Sequence, residues 1–364
     1  MENRRIVIAG GTGFIGQAIC EYFQKGNDIA VLTRNQPHKN PNVRPKRSAS
    51  TCLGKSIHYL QWDGRNHGPW AAALDGADIL INLTGRSVNC RYNYRNMKEI
   101  FDSRLQATRL LGKTIQTLPH PPRLWINAAS ATIYRDARDY PQNDYNGEIS
   151  SLQAMNMPSG TLQELRAFLR RWIGWSMPFL FASGKQKLSN DFSVRVCQEW
   201  EKAFAEIKCN HTRKICLRIA ITLGPGGALK PFRNLVKCCL GGPQGDGKQM
   251  FSWVHVEDLC RLIEWLDQHP EADGTFNCSS PEPVSNRQFM QMLRKVFGYR
   301  FGLPAPKWML ELGAKMIGTE PELLLKSRWV IPAKLLDAGF NFKYENLETA
   351  LANIREEWQR SMSA

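Results

Sequence analysis

The chain opens on a short β-branched run, Arg5-Ile-Val-Ile-Ala9, that breaks into glycines and then into Gln17–Phe23, a stretch of helical composition. That order reads as strand, turn, helix. A second apolar run, Asp28–Thr33, follows at the spacing of a βαβ unit. Four more, Ile57–Trp62, Asp78–Leu83, Leu124–Ala129 and Lys214–Thr222, alternate with stretches of helical composition. The alternation predicts an α/β fold with a doubly wound parallel Rossmann sheet. From Gly224 the pattern changes, because Gly226-Gly227, Gly241-Gly242-Pro243 and Gly245–Gly247 separate short apolar pieces; such loops are expected to approach a ligand. Further on, Trp308, Met309, Leu312 and Met316 recur at helical spacing and read as a core stripe.

One segment fits neither period. Ser150–Asn190 joins Leu162–Trp172, amphipathic and basic through Arg166, Arg170 and Arg171, to the uncharged Trp172–Gly184. The uncharged part falls short of the roughly 18 apolar residues a spanning helix needs, and Pro178 interrupts it. The segment reads as an insertion, loosely ordered or covering an apolar patch, with an interfacial helix as the alternative. A membrane is therefore not the expected partner. Lying between Ser130 and Cys197, it is placed to cover the mouth of a site between them.

Composition narrows the class. With 364 residues, 43% of them hydrophobic, the chain buries a sizeable core, which excludes disorder and suggests about two domains. The net charge of +15 raises a nucleic-acid partner, but much of the excess lies in Arg34–Lys55, without acids or interleaved aromatics, which reads as a solvated loop. No nucleic acid is expected. Ten scattered cysteines without a Cys-x-x-Cys pair suit reduced thiols and neither a metal site nor a disulfide framework. The N-terminus carries no signal-peptide pattern, so a cytoplasmic protein is expected, as a monomer or homodimer.

The candidate chemistry begins at the first turn. Gly10 permits the tight turn, Gly13 lets the backbone approach a pyrophosphate, and Gly16 lets the helix pack on the strand, so Gly10, Thr12, Gly13, Phe14, Ile15 and Gly16 are expected to hold a dinucleotide at a helix N-terminus. At the end of the second strand stands Thr33-Arg34, with no carboxylate near in sequence. An acid there would bind a ribose diol, and an arginine suits a 2′-phosphate, so NADP(H) is the expected cofactor unless Arg34 merely opens the basic loop. Ligands in such sheets lie beyond the carboxyl ends of the strands. That singles out Trp62-Asp63, Asn82-Leu83-Thr84-Gly85, Ser130 and Thr222.

These residues resemble the short-chain dehydrogenase/reductases of the extended, epimerase-like type, through Gly10-Gly-Thr-Gly-Phe-Ile-Gly16 and Ser130-Ala-Thr-Ile-Tyr134. Closer still is the branch known as epimerase family proteins, matched by Asn89-Cys-Arg-Tyr92, Lys98 to Ser103-Arg104, Cys197-Gln-Glu-Trp-Glu201, Gly247 to Asp258, and Val330-Ile-Pro through Phe340. The resemblance implies that Thr33-Arg34 binds the 2′-phosphate end of NADP(H), that Leu83-Thr84 lines the groove, and that Glu99 and Arg104 reach it from the following helix. Glu99 and Arg104 also read as an ordinary helix-surface pair. It further implies a Rossmann domain over 1–225 with an atypical insertion at about 136–190. A smaller C-terminal substrate lobe would span 226–352, about 248–280 returning to the Rossmann domain, and 353–364 would form a tail.

One departure from the family stands out. A reductase of this class uses Tyr-x-x-x-Lys, with the lysine lowering the tyrosine pKa. The spacing occurs here at Tyr94 and Lys98, too early in the chain to serve, while counting back from Glu201 puts Ser193 and Cys197 at the two positions. Neither serine nor cysteine does that work unaided. Ser130 and Tyr134 are then the catalytic candidates, and His255 reads as a capping or packing residue. The expected function is an NADP(H)-dependent oxidoreductase or epimerase acting on a small carbonyl or hydroxyl substrate; the alternative is a non-catalytic NADP(H)-binding sensor or interaction protein.

Overall fold

The computed structural model describes residues 1–34, 57–151, 181–306, 310 and 325–363. Its centre, among the described residues, is a seven-stranded sheet. Strands β1 (Arg5–Ala9), β2 (Asp28–Thr33), β3 (Ile57–Gln61), β4 (Ile79–Asn82), β5 (Leu124–Ser130) and β6 (Arg213–Ile219) are joined by Gly274–Cys278. The spatial order is Gly274–Cys278, β6, β5, β4, β1, β2, β3, and every pair is parallel. The chain builds one half outward from β1 and the other from β4, so the order reverses between these two strands, where an open α/β sheet leaves its crevice.

Alternation along each strand feeds two faces. Ile6, Ile8, Ile79, Ile81, Leu124 and Ile126 point to one core with α1 (Phe14–Phe23) and the helix Val256–Gln268. Val7, Ala9, Leu80 and Trp125 point to the other, against α2 (Tyr94–Thr117) and Phe204. Each fully buried Leu or Ile contributes about 1.5–3 kcal/mol. Because helices cover both faces, the strands read as continuous apolar runs.

Three expectations change. Lys214–Thr222 is two strands: β6 ends at Ile219, and Ile221–Leu223 leaves the main sheet to pair in parallel with Trp253–His255. The step occurs because the Ala220 N–H donates to Cys278 O at 3.0 Å while the Ile221 N–H donates to Ser252 O at 3.3 Å. The expected tail at 353–364 is the body of the last helix, Leu347–Ser363, whose Leu347, Ala350, Leu351, Ile354 and Trp358 are buried in a third core with Phe289 and Leu293. The glycines after Gly224 serve chain packing as well as the expected approach to a site: a Cβ on Gly227 would meet the Phe14 ring at 2.5 Å, and one on Gly242 would meet Leu303 O at 2.4 Å.

The expected insertion lies partly outside the described residues, as do Leu162–Trp172 and the stripe at Trp308, Met309, Leu312 and Met316. Its described flanks are built into the fold. Asp144 accepts from the backbone of Asn277 and Lys334 at 2.9 and 3.0 Å, and the helix Phe181–Ala205 packs on α2. Among the described residues no helix is long and apolar enough to cross a membrane.

Candidate functional site

The turn between β1 and α1 sits at the strand-order reversal. Gly10 has φ +83°, a backbone that side-chain-bearing residues rarely adopt, and a Cβ there would meet the Leu83 carbonyl at 3.0 Å. Gly13 differs, since the nearest atom to an added Cβ is Gly10 O at 3.7 Å. Its exposed backbone opens α1, whose first turn has no side-chain cap and no acid. Uncapped N–H groups and the helix dipole favour an anion there.

A cavity of about 430 Å³ runs from this turn to the end of β5. Gly10, Gly13, Phe14, Ile15, Gly16, Leu83, Arg104, Ser130 and Thr222 line it, so nine of the expected residues meet at one place. Beneath it lies a buried polar layer of which the sequence singled out Asn82 alone. Asn82 Nδ2 donates to Asn127 Oδ1 at 2.7 Å and to Thr108 Oγ1 at 3.1 Å, Trp200 Nε1 donates to Thr108 Oγ1 at 3.0 Å, and Asn82 Oδ1 accepts from the Thr84 N–H at 3.1 Å. The layer holds the Leu83-Thr84 backbone against Gly10. Thr84 Oγ1 itself is buried with no hydrogen-bond partner among the described residues.

Other expected residues stand outside the lining. Thr12 lies in the turn, its carbonyl accepting from Gln17 Nε2 at 3.0 Å. Thr33 is buried at the end of β2, and Arg34 is exposed just beyond it. Trp62 is buried beyond β3 against Trp70, while Asp63 is spent on its own turn, accepting from the N–H groups of Arg65 and Asn66 at 2.8 and 2.9 Å. Those bonds hold the Asp63 carboxyl below its usual range. Gly85 is in contact with Arg104, since a Cβ would meet its guanidinium carbon at 2.9 Å. Glu99 pairs with Arg86 and Arg95 and not with Arg104, so the helix-surface pair expected of Glu99 and Arg104 does not form.

Tyr134 is turned away from the cavity. Its ring is 1% exposed, its hydroxyl donates toward Asn143 O and Asn277 Oδ1, each at 3.0 Å, and it accepts from Arg218 Nη1 at 2.8 Å. Arg218 is itself fixed by Glu201 at 2.7 Å. Burial raises the Tyr134 pKa, which disfavours the phenolate. The arrangement ties β5 to β6 and to Gly274–Cys278, a structural role in place of the expected catalytic one.

Ser130 does face the cavity, its Oγ accepting from the Thr132 N–H at 3.2 Å at the end of β5. Beside it are Cys197 and Ser193, one turn apart on the helix Phe181–Ala205. The Cys197 thiol is pushed up to about 11 by burial, against the opposing pull of Arg104 and of its hydrogen bond with Ser130. Arg104 donates to Ile100 O at 2.9 Å and to Arg86 O at 3.1 Å, with its guanidinium 5.3 Å from the Trp200 ring centroid. Tyr92 also lines the cavity. It lay inside the matched stretch Asn89–Tyr92, yet only its position in space distinguishes it from Tyr94, which is 57% exposed. His255 caps the helix Val256–Gln268, as expected, its Nδ1 accepting from the Glu257 N–H at 3.2 Å. Among the described residues no group of three His, Cys, Asp or Glu side chains is placed to hold a metal.

Residues 6–154 match the NAD dependent epimerase/dehydratase family, and residues 305–354 match a domain of unknown function, DUF1731. Epimerase family protein YfhF of Bacillus subtilis is 27% identical over 96% of this chain and 97% of its own length. The human epimerase family protein SDR39U1 is 25% identical over 96% of this chain and 99% of its own. Over nearly its whole length the chain is similar to the epimerase family proteins. The architecture, a parallel Rossmann sheet flanked by helices, agrees with that similarity. The crystal structure of human SDR39U1 with NADPH superposes at a TM-score of 0.73 and 24% identity, covering 97% of this chain and 99% of that one.

Proposed function

We propose that the chain binds NADP(H) in the cavity between β1 and β4 and uses it to oxidise, reduce or epimerise a small substrate at a carbonyl or hydroxyl carbon. The observation that carries this reading is the continuity of one cavity from the glycine turn to Ser130. The residues fit the group. The open Gly13 backbone and uncapped start of α1 suit a pyrophosphate, and Thr84 Oγ1, without a partner among the described residues, offers a hydrogen bond to a ligand. Arg34, free of nearby acid in sequence and exposed beyond β2, suits a 2′-phosphate; the human relative was solved with NADPH. The cofactor supplies or accepts a hydride.

Ser130 then holds the substrate oxygen, and the apolar wall of Leu83, Val88, Ile100, Phe192 and Val196 keeps water from it. The reducing, cytoplasmic compartment expected from the cysteine pattern suits the nine free cysteines among the described residues. Calorimetric titration with NADPH, followed by assay of NADPH oxidation on aldehydes, ketones and quinones, tests the reading. Tight NADPH binding without turnover on any of them favours the non-catalytic sensor, and absence of binding removes both.

A further inference from the structure

We propose that Tyr92 is the proton-transferring group of this site, a phenol brought in from the loop ahead of α2 and held on Ser193. The inference rests on the oxidoreductase reading above. The Tyr92 and Ser193 hydroxyl oxygens lie 3.2 Å apart, and both residues line the cavity with Ser130 and Cys197. Ser193 stands where a Tyr-x-x-x-Lys helix would carry its tyrosine, so a phenol from another element reaches the place that this helix leaves without one.

The loop bearing Tyr92 is built to hold it. Asn93 caps α2 by accepting from the Asn96 N–H at 2.9 Å, and Asn96 Nδ2 donates back to Arg91 O at 2.7 Å. The Arg86 N–H donates to Ser103 Oγ at 2.9 Å, and the Tyr92 ring meets Phe192 edge-on at 5.0 Å. A phenol so fixed loses little freedom on reaction.

The charges around it also suit the role. Arg104, on α2, acts electrostatically on both Tyr92 and Cys197; Arg328 and Glu201 act on Cys197 as well, with Glu201 already bound to Arg218. A fixed cation within electrostatic reach of a phenol favours the phenolate, the service a lysine gives elsewhere. Among the described residues lining the cavity, Tyr92 carries the one phenol, and neither serine nor a thiol pushed up to about 11 releases a proton readily near neutrality.

The step balances. As hydride adds to the carbonyl carbon and the nicotinamide is oxidised, the C=O π pair moves to oxygen and takes the Tyr92 proton, giving the alcohol. The phenolate regains a proton from water by way of the Ser193 hydroxyl.

Tyr92→Phe keeps the ring against Phe192 and removes only the hydroxyl. Wild type and variant are titrated with NADPH by calorimetry, and NADPH oxidation is followed with 4-nitrobenzaldehyde and 9,10-phenanthrenequinone as probe carbonyls. The expected result is an NADPH Kd equal within about twofold, with kcat lower by on the order of 100-fold and KM little changed. A second readout needs no turnover: in protein labelled with ζ-13C tyrosine and saturated with NADP+, the signal missing from Tyr92→Phe ionises at lower pH than free tyrosine. Turnover retained within about threefold, or a Tyr92 signal ionising at or above the free value, overturns the role of Tyr92 and leaves the oxidoreductase reading standing. Failure of the wild type to bind NADPH overturns that reading instead. If NADPH binds and neither probe is reduced, the tyrosine titration decides.

Discussion

A Cβ built on Gly16 would lie 2.5 Å from the Cα of Gly11, so α1 leans on the turn that precedes it with no room for even a methyl group. Gly13, three residues earlier, has its nearest such neighbour at 3.7 Å. The two glycines therefore answer different needs. Gly16→Ala should cost about 1–3 kcal/mol by overpacking, more than the roughly 1 kcal/mol that helix propensity returns. Gly13→Ala should leave the urea midpoint almost unmoved and weaken NADPH at least about tenfold, roughly 1.4 kcal/mol, by placing a methyl where the phosphates approach. Equal NADPH affinity in Gly13→Ala and wild type would move the pyrophosphate away from this turn.

Cofactor choice follows from Arg34, exposed one residue past β2. Arg34→Glu should weaken NADPH by about 1.5–3 kcal/mol, the scale of a charge-assisted hydrogen bond, and change NADH far less. Calorimetry with both dinucleotides checks it. Parallel losses for the two would show a general electrostatic effect and no contact with the 2′-phosphate.

Ser130 and Tyr134 stand four residues apart with opposite tasks. Ser130→Ala should lower kcat on the order of 100-fold with NADPH affinity unchanged, since its Oγ faces the cavity. Tyr134→Phe should instead lower stability by about 1–3 kcal/mol, because Arg218 Nη1 and Asn143 O lose their shared buried partner. Thermal melts alongside steady-state rates separate the two effects. A Tyr134→Phe protein that melts like wild type but is inactive would return this tyrosine to the chemistry.

His255 gives the fold a pH dependence. Burial pushes its imidazole from the ordinary 6.5 down to about 4, and the neutral ring both caps the helix Val256–Gln268 and packs on Tyr344, tilted by 35° with centroids 3.9 Å apart. The unfolded chain takes up this proton first as pH falls. The contribution is therefore complete above about pH 6.5 and is lost on the way down to about pH 4, roughly 3 kcal/mol in all. His255→Asn keeps a capping oxygen, so denaturation curves collected from pH 7.5 to 4.5 should show a shallower decline for the variant than for wild type. Parallel declines would assign the slope to carboxylates elsewhere.

The residues alone determined the parts whose causes are local. Asp28–Thr33 is a strand with the bounds its apolar run predicts, the glycine turn follows from three residues within seven, and His255 caps because it stands one position before a helix start. Six of the seven main strands were legible as apolar runs. Gly274–Cys278 was not, since its sequence, Gly-Thr-Phe-Asn-Cys, earns its place only by pairing with β6. Tertiary structure likewise decided which tyrosine meets the cavity. Tyr134 follows Ser130 closely but is captured by Arg218 and Asn277, whereas Tyr92 reaches Ser193 across 101 residues of sequence. Such contacts depend on where two distant backbones cross, and no spacing along one chain segment encodes that crossing.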